Sequence, residues 1–153
     1  MKTDDLMTAL KASKAKVIFI FGPAASGKTW TVNRWCELNK HKVFYITRYK
    51  EQANFLRRDM KYKYVISLAP RNYDTRFLKF NIQNGYADIL VFDEYLSNNP
   101  LVDERERMAC LSGWLATDDT RLILIEHTRC NNENNYYLNL VKQRGVYYEV
   151  YEL

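Results

Sequence analysis

The sequence predicts an α/β domain of three layers, with a mainly parallel central sheet between helices. Short runs of continuous apolar residues, such as Val17–Phe21 and Ile89–Phe92, alternate with segments that suit helices. Strands that are apolar throughout are typical of parallel sheets covered on both faces. The chain has 153 residues, 47% of them hydrophobic and 27% charged, which suits a globular protein with a substantial core. We expect residues 1–153 to form a single domain.

The first part of the chain is predicted to alternate helices with strands. A short helix is expected over about residues 3–13, with Thr3 as its N-cap and with Asp4 and Asp5 at its positive end. The elements that follow are a strand over Val17–Phe21, a helix from Lys28 to about Asn39, a strand over Val43–Thr47, a helix over Lys50–Met60 and a short strand over Tyr64–Leu68.

The second part continues the alternation after an ambiguous segment over residues 74–83. The predicted elements are a strand over Ala87–Phe92, a helix over Val102–Thr117, a strand over Leu122–Ile125, a helix over Asn131–Arg144 and a strand over Val146–Tyr151. Gly145 is expected to cap the last helix. The last strand alternates polar and apolar residues, which indicates an edge position.

The segment between the first strand and the second helix matches the phosphate-loop pattern G-x-x-x-x-G-K-[ST]. Its residues are Gly22, Pro23, Ala24, Ala25, Ser26, Gly27, Lys28 and Thr29. A strand that turns directly into a helix points backbone N–H groups and the helix dipole at one place, which suits a polyphosphate. Gly22 and Gly27 allow close approach of the backbone. Lys28 is expected to reach the β and γ phosphates, and Thr29 to complete a Mg²⁺ shell. The alternative is a glycine-rich turn without a ligand.

Two carboxylates follow the apolar run Ile89–Phe92, as in the Walker B pattern of an apolar strand followed by acids. An Asp at the end of a strand beside the phosphate loop can hold Mg²⁺, and the next residue can polarise an attacking water. We assign Asp93 to the metal and Glu94 to water activation. An acidic pair in this position is also common as a helix cap or solvated turn.

A third strand ends in the polar sequence Glu126-His127-Thr128-Arg129. In a parallel sheet this edge faces the ligand crevice. Thr128 or His127 is expected to sense the γ-phosphate or orient water, with Glu126 less favoured. The alternative is that these four residues only end the strand and are exposed to solvent. The candidates for a transition-state arginine are Arg48, Arg105, Arg107 and Arg129, although an arginine in such a position is more often an ordinary surface charge.

The net charge indicates the kind of partner, and the cysteine content indicates the cellular compartment. The net charge of +5 favours a polyanionic partner, or simply a nucleotide. The three cysteines are odd in number and widely spaced, which argues against a disulfide framework or zinc site and for a reducing, intracellular compartment. No apolar run approaches the roughly 18 residues that cross a bilayer, so no membrane segment is expected.

With these motifs, the chain resembles the P-loop NTPases of the additional-strand, catalytic-glutamate division. The resemblance lies in Gly22–Thr29, Ile89–Glu94 and the polar strand end at Thr128. It implies a P-loop NTPase fold, ATP and Mg²⁺ as ligands, and Lys28, Glu94 and Thr128 as catalytic residues. Nucleotide kinases typically lack the water-activating glutamate, so Glu94 favours hydrolysis.

Within that division, Val43–Lys50 together with Val91–Tyr95 resembles the ATPase domains of viral DNA-packaging motors, including small phage packaging ATPases. The phosphate loop is also similar to that of superfamily 3 viral helicases. In those proteins the Walker motifs lie closer together, and Asn ends the third motif where this chain has Thr128.

The expected function is therefore Mg²⁺-dependent ATP hydrolysis coupled to nucleic-acid translocation or packaging. The resemblance implies a homo-oligomer, DNA as the favoured polymer and, for a viral protein, the host cytoplasm or nucleus. A helicase-type ATPase is one alternative. Another is a phosphotransferase, for which Arg71 and Arg76 would form the remnant of a lid. A third is a nucleotide switch that hydrolyses little, although the guanine-specific N-K-x-D string is absent from the sequence.

Overall fold

A computed structural model describes residues 1–47, 49–62, 64–67, 88–93, 120–127 and 136–153. These residues belong to two compact units. The first unit comprises Met1–Lys40 and Ile123–Leu153, and the second comprises His41–Leu122. Within the described residues, no helix is both long enough and apolar enough to cross a membrane.

The described residues form four helices and six strands. In chain order they are α1 (Thr3–Ala12), β1 (Val17–Phe21), α2 (Lys28–Leu38), β2 (Val43–Thr47), α3 (Lys50–Arg58), β3 (Tyr64–Ser67), β4 (Ile89–Asp93), β5 (Arg121–Glu126), α4 (Tyr136–Gln143) and β6 (Tyr148–Glu152). The segment 74–83 and the predicted helix over Val102–Thr117 lie outside the described residues.

The first unit is built around β1, which lies between β5 and β6. β1 and β6 are parallel, with Val17–Phe21 aligned to Tyr148–Glu152 residue by residue. Every side chain of β1 is buried, whereas β6 is only partly buried. An apolar strand with neighbours on both sides buries both of its faces, which explains why its sequence shows no alternation.

The second unit places β2 between β3 and β4, and both pairings are parallel. Val43–Thr47 aligns with Ile89–Asp93, and all ten side chains of these two strands are buried. Helix α3 packs on this layer through the buried Ala53 and Leu56. The Arg57 guanidinium ties α3 to β3 by donating to the carbonyl oxygen of Val65 at 2.6 Å.

The predicted α/β class with a parallel sheet is confirmed. β1 and β2 have the predicted bounds, and α2 ends one residue earlier than expected. β4 extends to Asp93, so this carboxylate is the last residue of the strand instead of the first one after it. β6 begins at Tyr148, two residues later than predicted.

The predicted N-cap of α1 is wrong. Thr3 is already helical, and the cap is Lys2. The Asp5 carboxylate accepts a hydrogen bond from the backbone N–H of Lys2 at 3.1 Å. This is one half of a capping box, in which an acid at the third helical position satisfies the cap's own N–H group.

The predicted glycine cap of α4 is confirmed. Gly145 has φ +65°, in the left-handed region. The backbone N–H of Gly145 donates to the carbonyl of Lys142 at 3.1 Å, and that of Val146 donates to the carbonyl of Val141 at 3.4 Å. This pair of bonds is the Schellman arrangement, which satisfies the last carbonyls of a helix.

Candidate functional site

The loop Gly22–Thr29 begins where neighbouring strands end. The backbone N–H of Gly22 donates to the carbonyl of Glu126, the last residue of β5, at 3.2 Å. On the other side, the N–H of Leu153 donates to the carbonyl of Phe21 at 2.9 Å. The carboxyl ends of β1, β5 and β6 therefore meet at the start of the loop, which is the edge of a parallel sheet where ligands bind.

Two residues of the loop have left-handed backbone conformations. Ala25 has φ +60°, and Gly27, the N-cap of α2, has φ +89° and ψ +10°. Turns that combine left- and right-handed residues point successive N–H groups into one concavity, and such concavities bind anions. A Cβ atom placed on Gly27 would lie 2.6 Å from Cγ2 of Thr3. Glycine is thus required both by the backbone angle and by the packing of α1.

The ammonium group of Lys28 is held inside this loop. Its Nζ donates to the carbonyl oxygens of Gly22 at 2.8 Å and Pro23 at 2.5 Å, and to Oγ of Ser26 at 3.1 Å. The residue is only 2% exposed. Burial of a lysine is costly unless its donors are satisfied, so these three bonds position the cation at the loop.

The loop opens onto a cavity of about 220 Å³ at the start of α2. The cavity is lined by Ala25, Ser26, Gly27, Lys28, Thr29, Trp30 and His127. The first N–H groups of a helix have no partner within the helix, and its dipole is positive at this end. A lysine, a helix start and a hydroxyl on one small cavity form a cradle that fits a polyphosphate.

Asp93 lies at the end of β4 in the second unit and is 2% exposed. One of its oxygens, Oδ2, accepts hydrogen bonds from the Tyr45 hydroxyl at 2.5 Å and from Nε2 of Gln52 at 2.8 Å. The Thr47 hydroxyl donates to the side-chain oxygen of Gln52. Side chains from β2 and α3 therefore orient this carboxyl group.

A buried, oriented carboxylate is a donor that Mg²⁺ accepts, because this ion is usually held by one or two carboxylates together with substrate phosphates. The chemistry of Asp93 thus fits the predicted metal. Among the described residues, no group of three or more His, Cys, Asp or Glu side chains is placed to hold a metal ion.

The structure brings part of the predicted site together. Residues 22–29 form one loop, and Lys28, Thr29 and His127 line one cavity. The predicted residues Glu94, Thr128, Arg48, Arg105, Arg107 and Arg129 lie outside the described residues, as do Arg71 and Arg76. Their roles stay predictions.

Sequence reasoning missed three side chains. Tyr45 and Gln52 contact Asp93, and Trp30 lines the loop cavity. A signal for Tyr45 existed: it precedes Thr47 by two residues, so both side chains lie on one face of β2, and Thr47 aligns with Asp93. For Trp30 the signal was only its place directly after the phosphate loop.

No model of a protein family matches the sequence, and no curated protein gives a significant match. Similar solved structures include the replication initiator DnaA bound to AMPPCP and single-stranded DNA, with a TM-score of 0.53 at 17% identity, covering 98% of this chain and 45% of that chain. The ATPase DotB of Legionella pneumophila has a TM-score of 0.53 at 17% identity, covering 88% of this chain and 36% of DotB. AMPPCP-bound DnaA from Aquifex aeolicus has a TM-score of 0.50 at 16% identity, covering 99% of this chain and 44% of that chain.

The chain thus spans less than half the length of each of these structures. At such low identity the likeness shows the fold, which is the α/β fold of P-loop NTPases.

Proposed function

We propose that this chain binds ATP with Mg²⁺ at the loop Gly22–Thr29 and hydrolyses the bond between the β and γ phosphates. The observation that carries the proposal is the buried Lys28 ammonium, held among loop oxygens beside a cavity at a helix start. Similar structures support an adenine nucleotide, because both DnaA structures contain AMPPCP and DotB is an ATPase.

Each residue has a proposed part in this reaction. Lys28 exchanges loop oxygens for β- and γ-phosphate oxygens, so its charge stabilises the phosphates. Thr29 and Asp93 would hold Mg²⁺, which neutralises charge on the transferred phosphoryl group. Glu94 orients the attacking water, and Thr128 senses the γ-phosphate.

The second part of the proposal is that hydrolysis drives movement or packaging of nucleic acid, DNA in the first place, by a homo-oligomer. The net charge of +5 and the pI of about 9.0 support a polyanionic partner. One similar structure, DnaA, is bound to single-stranded DNA. In an oligomer a neighbouring subunit can supply an arginine, which typically contributes about 10³–10⁵ in rate.

Phosphate release by Lys28→Ala and Glu94→Gln tests the hydrolysis. We expect both variants to lose turnover, because the first lacks the phosphate-binding charge and the second the group that orients water. Only Glu94→Gln should retain tight ATP binding in calorimetry. The control is Lys11→Ala, which removes an exposed lysine on α1 and should behave as wild type. Normal turnover by Lys28→Ala would overturn the proposed site.

Phosphate release with and without DNA or RNA tests the coupling. A motor is expected to release phosphate faster when the polymer is present. This stimulation should weaken as the salt concentration rises, because binding to nucleic-acid phosphates releases counterions. Phosphorylation of a small acceptor would instead identify a phosphotransferase. ATP binding with little hydrolysis in either condition would indicate a switch.

A further inference from the structure

Trp30 has an unusual environment for a tryptophan. It follows Thr29 in the first turn of α2 and is 65% exposed, although large aromatic side chains are usually well buried. Trp35, on the same helix, is only 2% exposed. Trp30 nevertheless lines the cavity formed by the phosphate loop. Trp30 is thus an exposed aromatic residue on the lining of that cavity.

The size of the cavity indicates what this ring could contact. At about 220 Å³, it is smaller than the roughly 300–1,000 Å³ of pockets that enclose a whole ligand of drug size. The Lys28 ammonium and the hydroxyls of Ser26 and Thr29 on the lining suit phosphates, so the cavity would enclose the phosphate end of a nucleotide. The sugar and base would then extend beyond the cavity, and Trp30 is the exposed aromatic side chain on its lining.

We propose that Trp30 binds the nucleobase by stacking its indole ring against the base. This inference rests on the proposed function, because it takes the loop to hold the phosphates. Stacking on an aromatic ring depends on the flat π face that every base has, not on the hydrogen-bonding edge of the base. Trp30 should therefore strengthen binding of nucleoside triphosphates generally and favour purines, whose rings are larger, over pyrimidines.

Calorimetric titration of the full chain with Mg²⁺ and either ATP or inorganic tripolyphosphate tests this. Tripolyphosphate has the phosphates without the base. For Trp30→Ala we expect the Kd for ATP to rise by about 5- to 150-fold, as for loss of one base–aromatic stack, with the Kd for tripolyphosphate unchanged. Trp30→Phe, which keeps a flat ring, should retain most of the ATP affinity. Trp30→Leu, which keeps only apolar area, should lose it.

The matched control is Phe55→Ala, which removes an exposed aromatic ring from α3 that is not among the residues lining the cavity. It should leave both Kd values unchanged. Thermal denaturation of each variant should show an unchanged midpoint, since an exposed side chain contributes little to stability.

Three results would contradict the inference in different ways. If the wild type binds both ligands and Trp30→Ala binds ATP equally well, Trp30 has no part in base binding, while the proposed function stands. If Trp30→Ala weakens ATP and tripolyphosphate equally, the side chain supports the loop instead of the base. If the wild type binds neither ligand, the proposed function itself fails.

Discussion

Two features of the structure favour glycine at position 27: the backbone angle and the closeness of Thr3. The φ of Gly27, +89°, lies in the left-handed region, and a Cβ there would approach Thr3 Cγ2 to 2.6 Å. Thr3 is β-branched and has two favoured χ1 rotamers in a helix, which restricts how its Cγ2 atom can move away. The second glycine of the phosphate loop therefore also determines how closely α1 can pack against the loop.

Comparison of Gly27→Ala with Gly145→Ala separates the cost of the backbone angle from the cost of the contact with Thr3. Gly145 has φ +65°, and apart from its chain neighbours no atom of the described residues lies within 4 Å of an added Cβ, so its variant should lose only the backbone term, about 1–2 kcal/mol. Gly27→Ala should lose about 1–3 kcal/mol more through overpacking. Urea denaturation measures both. Thr3→Ser in the Gly27→Ala background should recover part of the loss, and equal losses at the two glycines would exclude a steric role of Thr3.

Asp93 depends on Tyr45 for part of its orientation. Tyr45→Phe removes the hydroxyl that donates to Asp93 Oδ2, in a place where both residues are buried. A hydrogen bond to a charged group typically contributes about 1.5–3 kcal/mol, so we expect a loss in this range on urea denaturation.

A double-mutant cycle shows whether that loss belongs to this pair. In an Asp93→Ala background the carboxyl acceptor is gone, and Tyr45→Phe should then have little effect. An undiminished effect in that background would mean that the hydroxyl acts elsewhere.

At the scale of elements, α1 packs against the rest of the first unit through buried leucines. Leu6 and Leu10 are at most 1% exposed, and α1 packs against α2, the helix that begins at the phosphate loop. The same helix brings Thr3 to the loop. Loss of apolar contact on α1 should therefore destabilise the first unit without removing a group from the cavity lining.

Leu10→Ala should reduce the free energy of unfolding by about 2–5 kcal/mol, because it leaves a cavity in a packed interface. Leu38→Ala is the matched control: this leucine ends α2 and is 51% exposed, so the same chemical change should cost far less. Urea denaturation of both variants gives the comparison. Similar losses would contradict the buried position of Leu10.

The elements also show which boundaries a local sequence pattern predicts. Continuous apolar runs located β1 and β2 correctly, because burial on both faces leaves a signal in the sequence itself. Helix ends were less certain. The structure places the N-cap of α1 at Lys2, whose backbone N–H donates to the Asp5 carboxylate, instead of at Thr3.

At the scale of the whole molecule, the phosphate loop was the most predictable part of the candidate site. Its motif is contiguous, since one turn between a strand and a helix supplies the glycines, the lysine and the hydroxyl. The contacts of Asp93 were not predictable in the same way, because Tyr45, Gln52 and Asp93 come from separate elements. Their association depends on the strand register.

The sequence alone determined the α/β class, the bounds of β1 and β2 and the loop that surrounds Lys28, because each of these depends on residues that are neighbours along the chain. Only the tertiary structure decided that Thr3 packs over Gly27, that Tyr45 and Gln52 share one oxygen of Asp93, and that Trp30 stays exposed beside the cavity. Those contacts join residues on different elements, or depend on what packs around a side chain, and no local preference specifies either.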